Sequence, residues 1–264
     1  MSLEFIVENA QLFLLVLARV MVLLEIAPMF SSEGVPQIAK IGLGLFTCVA
    51  IFPWIREAGY QIPSSGLGYA ALLIGEALVG AIMGFILSAV YSTFMVAGEF
   101  FSVQMGFGAS EVYDPLAQIE IPILGQYFNL VALFVFITSG GYRKIFLTAV
   151  LKSFEAFKVQ DLIIHKDYIV SVLIRSLSKL FEQALILSFP VLGTLLLVSI
   201  AMGILAKASP QMNLLMLGFS VNGIIGFVII LAVIPVLMSA FGKIIDGSFN
   251  ELLRLFARAQ GGSA

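Results

Sequence analysis

Polar positions are scarce along this chain and bunched together, so the sequence reads as apolar runs separated by short breaks. The runs cover 12–30, 40–55, 66–103, 121–139, 169–206 and 214–241, with breaks at 31–37, 56–65, 104–115, 143–168 and 207–213. About 20 apolar residues make one membrane-spanning helix. The pattern therefore predicts an all-α membrane protein of about six apolar segments, forming a single helical domain over 1–264. The first run is broken by Pro28, and the second is expected to close at Pro53, where Trp54 suits a membrane interface. Two runs, 66–103 and 169–206, hold 38 residues each. One helix of that length reaches about 57 Å, against a hydrocarbon core of about 30 Å. Each run must then project from the bilayer or fold back as a hairpin, and Pro190 with Gly193 favours a kink or split in the second. Beyond the last run the period changes. Within 242–260, Ile245, Phe249, Leu252, Leu253 and Phe256 fall on one helical face and Lys243, Asp246, Glu251, Arg254 and Arg258 on the other. This C-terminal amphipathic helix is expected to lie on the membrane or dock on a partner.

Composition narrows the class. The chain has 264 residues, of which 60% are hydrophobic and 11% charged, against roughly 25% charged in soluble domains. The start, with Glu4 and Glu8, lacks the basic region of a secretory signal, so the first run is expected to remain as a span. The single cysteine, Cys48, sits in an apolar run and reads as packing; the single histidine, His165, sits in a charged connector and reads as solvated. From Glu57 to Tyr142 there are six acids and no Lys or Arg, whereas 143–179 carries seven bases. Basic loops stay cytoplasmic. The 143–168 connector and both termini are therefore expected on the cytoplasmic side and the 104–115 break on the other; Lys40 and Lys207 run against this assignment.

The break at 104–115 concentrates unusual residues: Gln104, Met105, Gly106, Phe107, Gly108, Ala109 and Ser110, then Tyr113, Asp114 and Pro115. Glycine permits positive φ and close approach, and proline disfavours helix at the residue before it. Irregular backbone at membrane depth survives only where it is buried in protein or lines a cavity; an external loop would have a similar composition. We take 98–120 as the extent of this central loop. A second break carries Ser209, Pro210, Gln211, Met212 and Asn213. Within the apolar runs lie Arg19, Glu25, Glu76 and Glu99. An ionised side chain at mid-span costs about 2.5–3.5 kcal/mol on insertion scales, so these should face protein or a cavity, as structural pairs or as a proton relay. Arg19 and Glu25, six apart, are not placed as a close helical pair. Gly75, Ala77, Gly80, Ala81 and Gly84 suit a notch for close helix contact, a substrate site being the other reading.

Several chemistries have no residues to support them. There is no G-x-x-x-x-G-K-[ST] phosphate loop, no His/Cys/carboxylate set with metal-ligand spacing, and no histidine placed for a Ser-His-Asp triad. No cofactor, metal or catalytic residue is expected. Two classes remain. One is a secondary transporter with a midplane site at broken helices. The other is a pore-forming or gating subunit, in which Met105, Met212 and Met216 supply adaptable apolar packing.

Three stretches carry a family resemblance. They are A-P-M-F-S-S-E-G-V-P at 27–36, Q-M-G-F-G-A-S with Y-D-P at 104–115, and A-S-P-Q-M-N followed by L-G-F within 208–219. Together they resemble the FliR family, a membrane component of the flagellar type III export apparatus with counterparts in virulence injectisomes. Tyr142-Arg143 after Gly141, and Ser220 after Phe219, depart from the family's common histidine and proline. The resemblance implies a hetero-oligomeric export gate of broken, kinked helical hairpins in the inner membrane at the flagellar basal body. Its partners would be FliP-like, FliQ-like and FlhB-like subunits, with unfolded export substrates passing through the centre. It also implies that the 104–115 loop is the plug, with Met105 and Phe107 closing it and Gly106 and Gly108 letting it bend.

Overall fold

The computed structural model describes residues 3–28, 30, 35–57, 60–107, 123–209, 211 and 214–260. Among them every regular element is a helix. In chain order these are α1 (Leu3–Ile26), α2 (Gln37–Glu57), α3 (Gly66–Met105), α4 (Ile123–Thr138), α5 (Gly141–Ala156), α6 (Val159–Ile164), α7 (Lys166–Ala208) and α8 (Leu214–Ala259). The middle of α5, Ile145–Leu151, is wound as a π-helix. Five helices are long and apolar enough to cross a membrane, or six when α4 and α5 count as one bent span.

Both overlong runs are single helices. α3 has 40 residues and α7 has 43. Pro190 lies inside α7 without ending it, so the expected split is absent; Pro53 likewise lies inside α2, which continues to Glu57. Each proline removes one backbone hydrogen bond. A full break in apolar surroundings would strand several more donors and acceptors, so continuing the helix is the smaller cost. By contrast α1 stops where Pro28 disfavours helix at Ala27.

The chain divides into two compact units. The first comprises Met1–Val90, Gly140–Leu177 and Ile245–Ala264, the second Tyr91–Ser139 and Ser178–Ile244. The length of α3, α7 and α8 follows from this division, because each contributes one portion to each unit.

In the first unit, Leu15, Val16, Val20 and Leu23 of α1 are buried along with Val79, Met83 and Ile86 of α3. The glycine notch lies between these helices: a Cβ on Gly80 would collide with the Arg19 carbonyl, and one on Gly84 would lie 2.8 Å from Ile26 Cβ. Phe30, just past α1, meets Phe146 of α5 edge-on at 6.4 Å. That contact corrects the reading of 143–168 as connector throughout: the helix continues to Ala156 and buries Ile145, Ala149, Val150 and Phe154. The 242–260 segment is the end of α8 rather than a separate helix. Its Ile245, Phe249, Leu252, Leu255 and Phe256 are buried within this chain, whereas Leu253, expected on that face, is exposed. Phe256 lies 6.5 Å from Phe157, Arg258 stacks over Tyr168 at 4.4 Å, and Lys144 pairs with Asp246 at 2.5 Å.

In the second unit a phenylalanine cluster forms the core. Phe94 and Phe241 are 4.1 Å apart between ring centroids, Phe101 and Phe128 4.9 Å, and Phe128 and Phe241 6.3 Å. Where α3 crosses α4, Gly98 faces Gly125; a Cβ on Gly98 would lie 2.6 Å from Gly125 Cα.

Candidate functional site

Two places bring the candidate residues into defined geometry. The first is the C-terminal end of α3 in the second unit, where the central loop begins. Gly106 takes φ +88°, the left-handed conformation that glycine adopts without a Cβ penalty. The Gly106 N–H donates to the Val103 carbonyl at 3.1 Å and the Phe107 N–H to the Ser102 carbonyl at 3.0 Å. This is the paired pattern of a Schellman helix end. The turn is seated on α8. The Phe219 ring lies where a Gly106 Cβ would project, Met105 is 2% exposed and packs against Gly226, and Phe107 meets Phe227 edge-on at 5.9 Å. Gln104 is half-buried. Of the expected loop, 98–105 is thus helix, and Gly108, Ala109, Ser110, Tyr113, Asp114 and Pro115 lie outside the described residues. At the second break Ser209 and Gln211 are exposed, while Pro210, Met212 and Asn213 also lie outside them.

The second place is a buried charge cluster in the first unit. Arg19 of α1 is 1% exposed and Glu76 of α3 is fully buried. Arg19 Nε donates to Glu76 Oε2 at 2.5 Å, Nη1 to Ser153 Oγ at 3.3 Å and Nη2 to the Phe157 carbonyl at 3.1 Å. The guanidinium lies over the Phe154 ring at 4.1 Å. The Tyr60 hydroxyl donates to the other Glu76 oxygen, Oε1. Burial first, and then the Glu76 carboxylate, push the Tyr60 pKa above the usual tyrosine range, with Arg19 acting the other way. The phenol is therefore a neutral donor at physiological pH. Ser153 in turn donates to the Val150 carbonyl at 2.6 Å, just past the π-helical turn. One arginine ties α1, α3 and the end of α5 together.

The remaining candidates separate. Glu25 pairs with Lys40 at 3.3 Å, across the turn between α1 and α2. Lys40 is buried there and its charge is matched, which weakens its weight against the assigned orientation. Glu99 belongs to the second unit, is half-buried, and makes no hydrogen bond or ion pair among the described residues. The two candidate acids of the first unit, Glu25 and Glu76, thus each have their own cation partner. Tyr60, Ser153 and Phe157 were not legible in the sequence. Ser153 and Phe157 stand 134 and 138 residues from Arg19, and a tyrosine in a polar connector carries no sign of what it will touch.

Both places use their special residues to draw helices together: glycine where backbones or rings must approach, a paired arginine where a charge must be buried. The class this defines is a multi-span helical membrane protein, in which polar groups inside the apolar runs serve contacts between helices. Comparison with known proteins makes the class specific. Residues 10–248 match the model of the family described as bacterial export proteins, family 1. The flagellar biosynthetic protein FliR of Borreliella burgdorferi is 31% identical over 98% of this chain and 96% of its own. FliR of Bacillus subtilis is 27% identical over 96% and 97%, and the surface presentation of antigens protein SpaR of Shigella sonnei is 29% identical over 60% of each chain. The chain belongs to the FliR family of bacterial export proteins.

Proposed function

We propose that this chain is a non-enzymatic core subunit of the flagellar type III protein export gate in the bacterial inner membrane. It forms and closes part of the conduit for unfolded flagellar substrates, assembled with FliP-like, FliQ-like and FlhB-like subunits. The family match across 10–248, with FliR relatives covering nearly the whole chain, carries this reading. The end of α3 supports the closing role. Met105, Gly106 and Phe107 form a tight apolar turn at the mouth of the 104–115 loop, seated on Phe219, Gly226 and Phe227. The part of 98–120 beyond the end of α3 supplies the plug and the 242–260 end of α8 holds the cytoplasmic part together. Deleting residues 106–110 tests the plug: the complex should still assemble, with a raised ion leak across the membrane. An intact deletion complex that is no leakier than its parent overturns the role.

A further inference from the structure

The α8 face that seats the end of α3 carries a buried polar atom with no partner among the described residues. Asn222 Oδ1 is buried and accepts no hydrogen bond from the described residues. On α8 it lies three residues after Phe219 and four before Gly226, the spacing of one helix face, and both of those residues contact the Met105–Gly106 turn. The contacts that seat the turn are apolar: the Phe219 ring, the Met105 side chain, and the Phe107–Phe227 pair. An acceptor left without a donor in such surroundings is destabilising, whereas an apolar side chain of the same size is not. The seated turn is therefore less stable than its packing alone would make it.

We infer that Asn222 is a positioning residue that keeps the closed seat metastable. When the Met105–Phe107 turn lifts from α8, the amide oxygen gains a donor, either water or the backbone N–H of an extended chain in transit. Seating removes that donor again. Phe219, Gly226 and Phe227 hold the turn closed, and Asn222 limits how firmly they hold it. This rests on the plug reading above and adds to it the residue that sets the balance.

The test is Asn222→Leu in the assembled complex, which removes the unpaired oxygen and keeps the branched outline of the side chain. The purified complex should melt at a higher temperature, while export of a flagellar substrate slows about tenfold, the factor that corresponds to about 1.4 kcal/mol. Phe219→Ala should do the reverse, raising the ion leak and lowering the melting temperature. A residue serving only as scaffold would lose stability and export together. Lower stability in Asn222→Leu, or unchanged export, overturns the inference. The deletion of 106–110 separates the two claims: a leaky deletion complex with an unaffected Asn222→Leu sinks the role of Asn222 alone, and a tight deletion complex sinks the plug reading itself.

Discussion

Arg19 shows how a single residue can be costly and still organise its surroundings. Its guanidinium has lost its water, and Glu76, Ser153, the Phe157 carbonyl and the Phe154 ring replace it. Removing one partner of a buried pair leaves an uncompensated charge and costs about 3–5 kcal/mol, whereas replacing both with apolar groups of similar size is often neutral. Glu76→Gln should therefore lower the melting temperature of the detergent-solubilised protein substantially, and the double variant Arg19→Met, Glu76→Leu should recover most of the loss. A double variant as unstable as the single one would mean that the pair itself is needed. At the other end of α3, Gly106 is required for a local reason, since φ +88° strains any residue with a Cβ.

Helices α3 and α4 meet at glycines, and the kind of atom each glycine faces decides what a substitution does. At Gly98 an added Cβ would lie 2.6 Å from Gly125 Cα and 2.7 Å from the Leu124 carbonyl oxygen, both backbone. At Gly226 the three nearest atoms all belong to the Met105 side chain, from 2.6 to 2.8 Å away. Backbone cannot step aside without separating the helices, whereas a thioether chain can change rotamer. Gly98→Ala should cost about 1–3 kcal/mol, the usual penalty of overpacking, and Gly226→Ala clearly less, as read from thermal unfolding of the two variants side by side. The same distinction explains the prolines. Pro53, Pro190 and Pro235 all lie within continuous helices, because in apolar surroundings the lost bond costs less than a broken helix.

Across the whole molecule, the ends that the charge pattern assigned to the cytoplasm are found together in the first unit. A cavity of about 270 Å³ is lined by Tyr60 and Gln61 from the 56–65 break and by Glu155, Lys158 and Gln160 from the segment around the end of α5. A second, of about 520 Å³, joins Tyr60, Arg56 and Ser64 to Phe5 and Glu8 of α1. Single cysteines at Ser64 and Glu155, both exposed, in a Cys48→Ala background should therefore react with a membrane-impermeant maleimide from the cytoplasmic face only. Labelling of either from the opposite face would reverse the orientation.

Hydropathy is a sum over neighbouring residues, so the sequence by itself determined the all-helical class, the apolar segments and the breaks between them other than 143–168, where helix continues to Ala156. The glycine break after Met105 was legible for the same reason, because a left-handed helix end is a local demand on one residue. The family was legible too, in motifs short enough to read directly. The tertiary structure alone decided how Arg19 is satisfied, since Glu76 is 57 residues away and Phe157 is 138 away. It alone decided that the 169–206 run continues as one helix through Pro190, because continuity depends on what surrounds the backbone. It alone decided that the amphipathic end of α8 buries its apolar face in this chain. A hydrophobic face states that something must cover it, and only the packed fold selects what does.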